Sequence, residues 1–230
     1  MSEILSIFPA LDLLAIGWFL AWWCGYTYVA DIAGRQQREL ARIIDDYRLR
    51  WMQRMLEREN RMADVNIIIA HHRIGALFAS TTILIMAGIV AVLGNVDRLM
   101  VVLNEFTFTA LASRELVEMK VLALLLIFIY AFFKYARCLR QYNTALLLIG
   151  AAPLPDADGD FDVEDFAARA AGVLTRAATN FNRGMRSYYF ALATLAWFIQ
   201  PYLFMAAVIF IILVIYRRDY RSGMLKALAE

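Results

Sequence analysis

Four apolar stretches constrain this chain more than any motif: Phe8 to Ala30, Ile74 to Leu93, Val117 to Phe133 and Tyr188 to Tyr216. A helix needs about 20 apolar residues to cross roughly 30 Å of hydrocarbon. The first, second and fourth stretches reach that length, and the third gains it from Tyr135 and Ala136. The expected fold is therefore all-α, a multipass membrane protein of about four transmembrane helices. The spans fall near 8–30, 74–94, 117–136 and 187–216. The chain is 62% hydrophobic, against about 45–50% in soluble domains, and most of its charges are gathered in blocks between these stretches.

The charge pattern predicts sidedness. Eight arginines lie between Arg35 and Asp64, and a second charged block runs from Lys134 to Arg186. Lys and Arg collect on the cytoplasmic side, so both blocks are expected in the cytoplasm, with the N-terminus outside, in a bacterial inner membrane. Phe8 to Ala30 lacks a basic n-region and reads as a retained anchor. Its Trp18, Trp22, Trp23, Tyr26 and Tyr28 suit either the headgroup boundary or partner helices.

The fourth stretch resists this scheme. Tyr188 to Tyr216 is about 29 residues, roughly 43 Å as a straight helix. Pro201 near its middle breaks the hydrogen-bond ladder and predicts a kink. A single kinked, tilted span puts Arg217, Arg218, Arg221 and Lys226 outside; a hairpin returns them to the cytoplasm. The kinked span is preferred, since neither half is flanked by turn residues.

Two amphipathic cytoplasmic helices are expected, near 35–65 and 162–185. In the first, Leu40, Ile43, Ile44, Tyr47, Trp51, Met55, Met62 and Val65 recur at helical spacing. In the second, Val163, Phe166, Ala170, Val173, Leu174, Ala177 and Phe181 form a stripe, with Asp160 or Asp162 as N-cap. The arginine-rich side of the first helix, Arg50, Trp51, Arg54, Arg58 and Arg61, is the expected cytoplasmic interaction face.

Sites with chemistry are few. Asp156, Asp158 and Asp160 have calcium-loop spacing, but the required glycine falls at Phe161 and the closing glutamate at Ala167. His71 and His72 point about 100° apart on a helix, a poor chelating pair. No metal, no cofactor, no catalytic residue and no enzyme activity are expected, and a net charge of +2 argues against nucleic acid. In span two, Ser80, Thr81 and Thr82 are either packing groups or the lining of a conduction path. Gly75, Ala79, Ala87, Gly88 and Ala91 give that helix small surfaces for close approach. Leu99 to Leu111 suits a re-entrant or interfacial segment, and Glu105 within it is the acid to test first. Glu118 and Lys120 read as interface residues, with Lys120 and Lys134 free to snorkel in opposite directions.

Three blocks carry a family resemblance. They are Arg50-Trp51 with Arg58-Glu59-Asn60-Arg61-Met62-Ala63-Asp64, then Phe78-Ala79-Ser80-Thr81-Thr82 with Gly88 and Gly94. The third is Phe181-Asn182-Arg183-Gly184-Met185-Arg186-Ser187-Tyr188-Tyr189-Phe190 with Trp197, Pro201 and Tyr216-Arg217-Arg218. In these the chain resembles an uncharacterised bacterial and plant family catalogued as domain of unknown function 599. The resemblance implies an integral membrane protein of about four spans and brings no activity. From the residues alone, a homo-oligomeric channel or passive transporter for a small ion or solute is expected. The alternative is a membrane-anchored scaffold or assembly protein acting through its cytoplasmic helices. The lipid bilayer and further copies of the chain are the expected partners.

Overall fold

The computed structural model describes residues 9–30, 39–105, 113–155 and 162–220. In chain order the helices are α1 (Ala10–Tyr28), α2 (Glu39–Leu56), α3 (Met62–Leu93), α4 (Val96–Glu105), α5 (Arg114–Ala151), α6 (Val163–Leu195) and α7 (Pro201–Tyr220). A 3-10 turn, Ala196–Phe198, separates the last two. No strand occurs among the described residues. Two helices, α3 and α5, are long and apolar enough to cross a membrane. The acidic residues Asp156, Asp158 and Asp160, and the start of the expected helix at 35–65, lie outside the described residues.

Three helices run through the boundaries expected for them. α3 begins twelve residues before Ile74, and α5 continues past Ala136 to Ala151. α6 joins the expected cytoplasmic helix at 162–185 to the start of the fourth apolar stretch. Its N-cap is Asp162, whose carboxylate accepts from the Asp165 amide at 2.9 Å. Ser113 caps α5 in the same way, accepting from the Leu116 amide at 3.3 Å.

The molecule consequently has two halves that share α3, α5 and α6. In the polar half, α2 packs on α6, and the core is Met52, Met55, Ile68, Cys138, Ala145, Ile149, Ala170, Leu174 and Ala177. In the apolar half, α1, α7 and the remaining parts of α3, α5 and α6 enclose Ala15, Phe19, Phe128, Phe190, Trp197, Phe204 and Val208. α5 is central, with α3 and α6 on either side. α6 approaches α5 closely at Gly184, where an added Cβ would lie 2.7 Å from the Tyr135 ring. Only glycine fits a crossing that close.

The expected single helix at 35–65 is broken. α2 ends at Leu56 and α3 starts at Met62. The reason is local chemistry that competes with the helix. Asn60 Oδ1 accepts from the Met62 amide at 3.0 Å, a bond that starts a new helix instead of extending the old one. Asp64 is then buried against the preceding helix.

The expected single kinked span at 187–216 is also corrected. α6 ends at Leu195, and the chain turns and comes back as α7. Trp197 at the turn meets Asp12, near the start of α1. Phe204 packs on Phe19, and Ile215 clusters with Tyr26, Ala30 and Tyr189. α7 therefore runs parallel to α1 and antiparallel to the end of α6. Arg217 follows at the end of the hairpin that adjoins the polar half. Pro201 does not kink a continuous helix; it occupies the first position of a new one, where its missing N–H is tolerated.

Candidate functional site

Proline at 201 has a second consequence, and the site is built on it. In a continuous helix the Trp197 carbonyl would accept from the N–H of residue 201, which proline lacks. That carbonyl instead accepts from Lys120 Nζ of α5 at 2.9 Å. The same Lys120 lies 3.4 Å from Asp12 Oδ1 of α1 and 5.3 Å from the centroid of the Trp197 ring. The circuit closes through the indole, whose Nε1 donates to Asp12 Oδ1 at 2.7 Å. Asp12, Lys120 and Trp197 retain only 3%, 4% and 2% of their exposure. A carboxylate and an ammonium thus sit together inside the apolar half, each with a partner, which is the condition for burying charge.

Lys120 is therefore not an interface lysine reaching for water, contrary to expectation. Asp12 and Trp197 were not recognised as site residues from sequence at all. The available signal was one acid just inside the first apolar stretch and one lysine just inside the third. Such groups in membrane segments pair with one another. Nothing in a single sequence says which residues pair, because the partners are 108 positions apart.

A second buried carboxylate lies in the polar half. Asp64, fully buried, accepts from Trp51 Nε1 at 2.7 Å and from Arg58 Nη1 at 2.8 Å. Arg61 beside it donates to the Ala152 carbonyl at 2.7 Å and to the Pro153 carbonyl. Those carbonyls belong to the open C-terminal end of α5, which has no intrahelical donors left. Of the expected interaction face, Trp51, Arg58 and Arg61 are thus engaged within the chain and brace the α2–α3 corner against α5. Arg50 and Arg54 instead line a cleft of about 760 Å³ with Glu57, Pro153, Pro155 and Glu164.

The hydroxyls of span two do not share a face. Thr82 is buried and donates to the Phe78 carbonyl at 2.6 Å, while its oxygen pairs with the Tyr188 hydroxyl at 2.8 Å. Thr81 donates to its own helix, to the Leu77 carbonyl at 2.9 Å. Ser80 is exposed on the opposite side. Glu105 is exposed at the end of α4, and residues 106–112 of the expected re-entrant segment lie outside the described residues. His71 Nδ1 is 2.8 Å from the Ile67 carbonyl on its own helix. Among the described residues no cluster of His, Cys, Asp or Glu is arranged to hold a metal ion. Cys138, in the part of α5 beyond its apolar stretch, is fully buried, and that burial pushes its thiol up to about 12. Burial does the same to the Tyr142 phenol. Cys138 is accordingly a packing group and not a nucleophile.

The model of one family, described as "Protein of unknown function, DUF599", matches residues 14–224 of the chain. No curated protein and no solved structure matches it.

Proposed function

We propose a role for a chain that belongs to the DUF599 family: a homo-oligomeric membrane channel or passive transporter for a small ion or solute, conducting between subunits. In this reading α1, α3 and α5 cross a bacterial inner membrane, and α6 and α7 enter it as a hairpin. The polar half lies in the cytoplasm with Arg217 and Arg218 at its membrane edge. The hairpin removes the conflict in the charge pattern, since the basic tail then begins on the cytoplasmic side.

One observation carries the conduction reading. α3 is the least embedded of the long apolar helices, with 17% of its apolar window buried against 44% for α5. Its buried positions Ile68, Gly75, Thr82 and Ile89 recur every seven residues, a narrow seam toward α5 that leaves most of the helix free. Ser80, Ala87, Gly88 and Ala91 are exposed on the free side, and nothing lies within 4 Å of a Cβ placed on Gly88. Small residues let membrane helices from neighbouring copies approach closely, with the Ser80 hydroxyl at the contact. In this reading the route for solute falls between copies.

The test is a Ser80→Cys substitution in a Cys24→Ala background, reconstituted in vesicles. Oxidation is expected to link copies through residue 80, and a thiol reagent there is expected to reduce solute flux. A monomer in lipid nanodiscs, with no cross-link, would overturn the reading. The scaffold alternative is favoured by the Arg50 and Arg54 cleft, which lies in the polar half. In that case reversing Arg50 and Arg54 to Glu abolishes function, while Ser80→Ala and Glu105→Gln leave it intact.

A further inference from the structure

α1 is attached to the molecule chiefly along α7, and its backbone stays apart from that of α5. Between α1 and α5 runs a groove of about 520 Å³. Ile16, Leu20 and Cys24 form one wall, Met119, Ala123 and Leu126 the other, and Trp197 and Phe204 the floor. Two of the polar groups on its lining are engaged within the chain. The Thr194 hydroxyl donates to the Phe190 carbonyl at 2.9 Å, and the Trp197 indole donates to Asp12. Liquid water occupies roughly 30 Å³ per molecule, so wetting this space would place a dozen or more waters on walls that are almost wholly apolar. Leaving it empty forfeits the dispersion contacts of every wall.

The two ends of the groove differ. At one end are Ile16 and Met119, and the neighbouring Asp12–Lys120 pair is buried and does not line the groove. At the other end are Cys24 and Tyr130. A pocket of this size, walled almost wholly by apolar side chains, is suited to an apolar ligand. We propose that the groove holds one hydrocarbon chain of a bilayer lipid, lying along α1 and α5 from Met119 to Tyr130. This rests on the reading of α1 and α5 as membrane-crossing helices.

Trp23 and Trp22 make the experiment self-controlled, because Trp23 lines the groove and Trp22 is exposed outside it. The full chain is reconstituted in phosphatidylcholine vesicles whose acyl chains carry bromine, a contact quencher of indole fluorescence. The share of each tryptophan is obtained by difference from its Phe variant. Both are expected to be quenched. Ala123→Phe, which fills the groove, is expected to abolish quenching of Trp23 and spare Trp22, with Ala123→Val giving a partial loss. Quenching of Trp22 without Trp23, or Trp23 quenching indifferent to both substitutions at Ala123, would overturn the lipid site alone. Absence of quenching at both would overturn the membrane reading beneath it.

Discussion

Each half of the molecule buries one aspartate, and each aspartate is held by a tryptophan indole and a cation. In the polar half Asp64 receives Trp51 and Arg58; in the apolar half Asp12 receives Trp197 and Lys120. The arrangements differ in where the cation ends. The Arg58 side chain keeps 48% of its exposure, whereas that of Lys120 keeps 5%. Losing its aspartate, Arg58 turns to water; Lys120 has no such recourse. The same local chemistry is therefore a brace in one half and an obligation in the other.

The widest separation between the halves is expected from Asp12→Ala. It leaves a buried ammonium without a counter-charge, which costs about 3–5 kcal/mol, read as lost unfolding stability in detergent micelles. Replacing both members, Asp12→Leu with Lys120→Met, is expected to be milder than Asp12→Ala alone, because no uncompensated charge remains. It does not restore full stability, since the Trp197 carbonyl and indole both lose their partners. A double variant worse than the single one would mean that the hydrogen bonds to Trp197, and not the charge balance, dominate the node.

Asp64→Ala is expected to cost less, about 1.5–3 kcal/mol, the range for hydrogen bonds to a charged group. The cation is released to solvent, and the penalty is confined to the Trp51 indole and the space left behind. The same unfolding measurement applied to both variants tests the comparison directly. Equal losses would show that burial of the cation does not separate the two nodes.

These two nodes also mark what the sequence makes legible. Helix content, the apolar stretches and the Asp162 cap follow from periodicity and local capping chemistry, which a single chain displays. The break at Glu57 to Arg61 is hidden in the sequence because the apolar stripe runs through it: Met55 and Met62 keep helical spacing on either side of the turn. The hairpin was set aside because it lacks glycine or asparagine at the bend. Its turn is stabilised instead from afar, by Lys120 donating to the carbonyl that Pro201 leaves without a donor. Arg58 and Arg61 looked like a surface because arginines at helical spacing usually are one. Their acceptors, Asp64 and the end of α5, become neighbours only after the chain has turned.

The smallest effect is expected at the junction between the halves, where Tyr188 meets Thr82. The two hydroxyls lie 2.8 Å apart and both reach the Phe78 carbonyl, Thr82 at 2.6 Å and Tyr188 at 3.4 Å, so the Tyr188 proton goes to Thr82 or to that carbonyl. Tyr188→Phe removes that proton and keeps the ring, which lies edge-on to Phe128 at 5.3 Å and to Phe78 at 6.0 Å. The loss should be about 0.5–1.5 kcal/mol, one ordinary hydrogen bond, and smaller than that of Asp64→Ala in the same unfolding measurement. Tyr188→Ala deletes the ring as well and should cost several times more. If Tyr188→Phe proves as damaging as the alanine variant, the hydroxyl pair and not the ring cluster holds the junction. Thr82 would then be a third polar anchor beside Asp12 and Asp64, placed where the two halves meet.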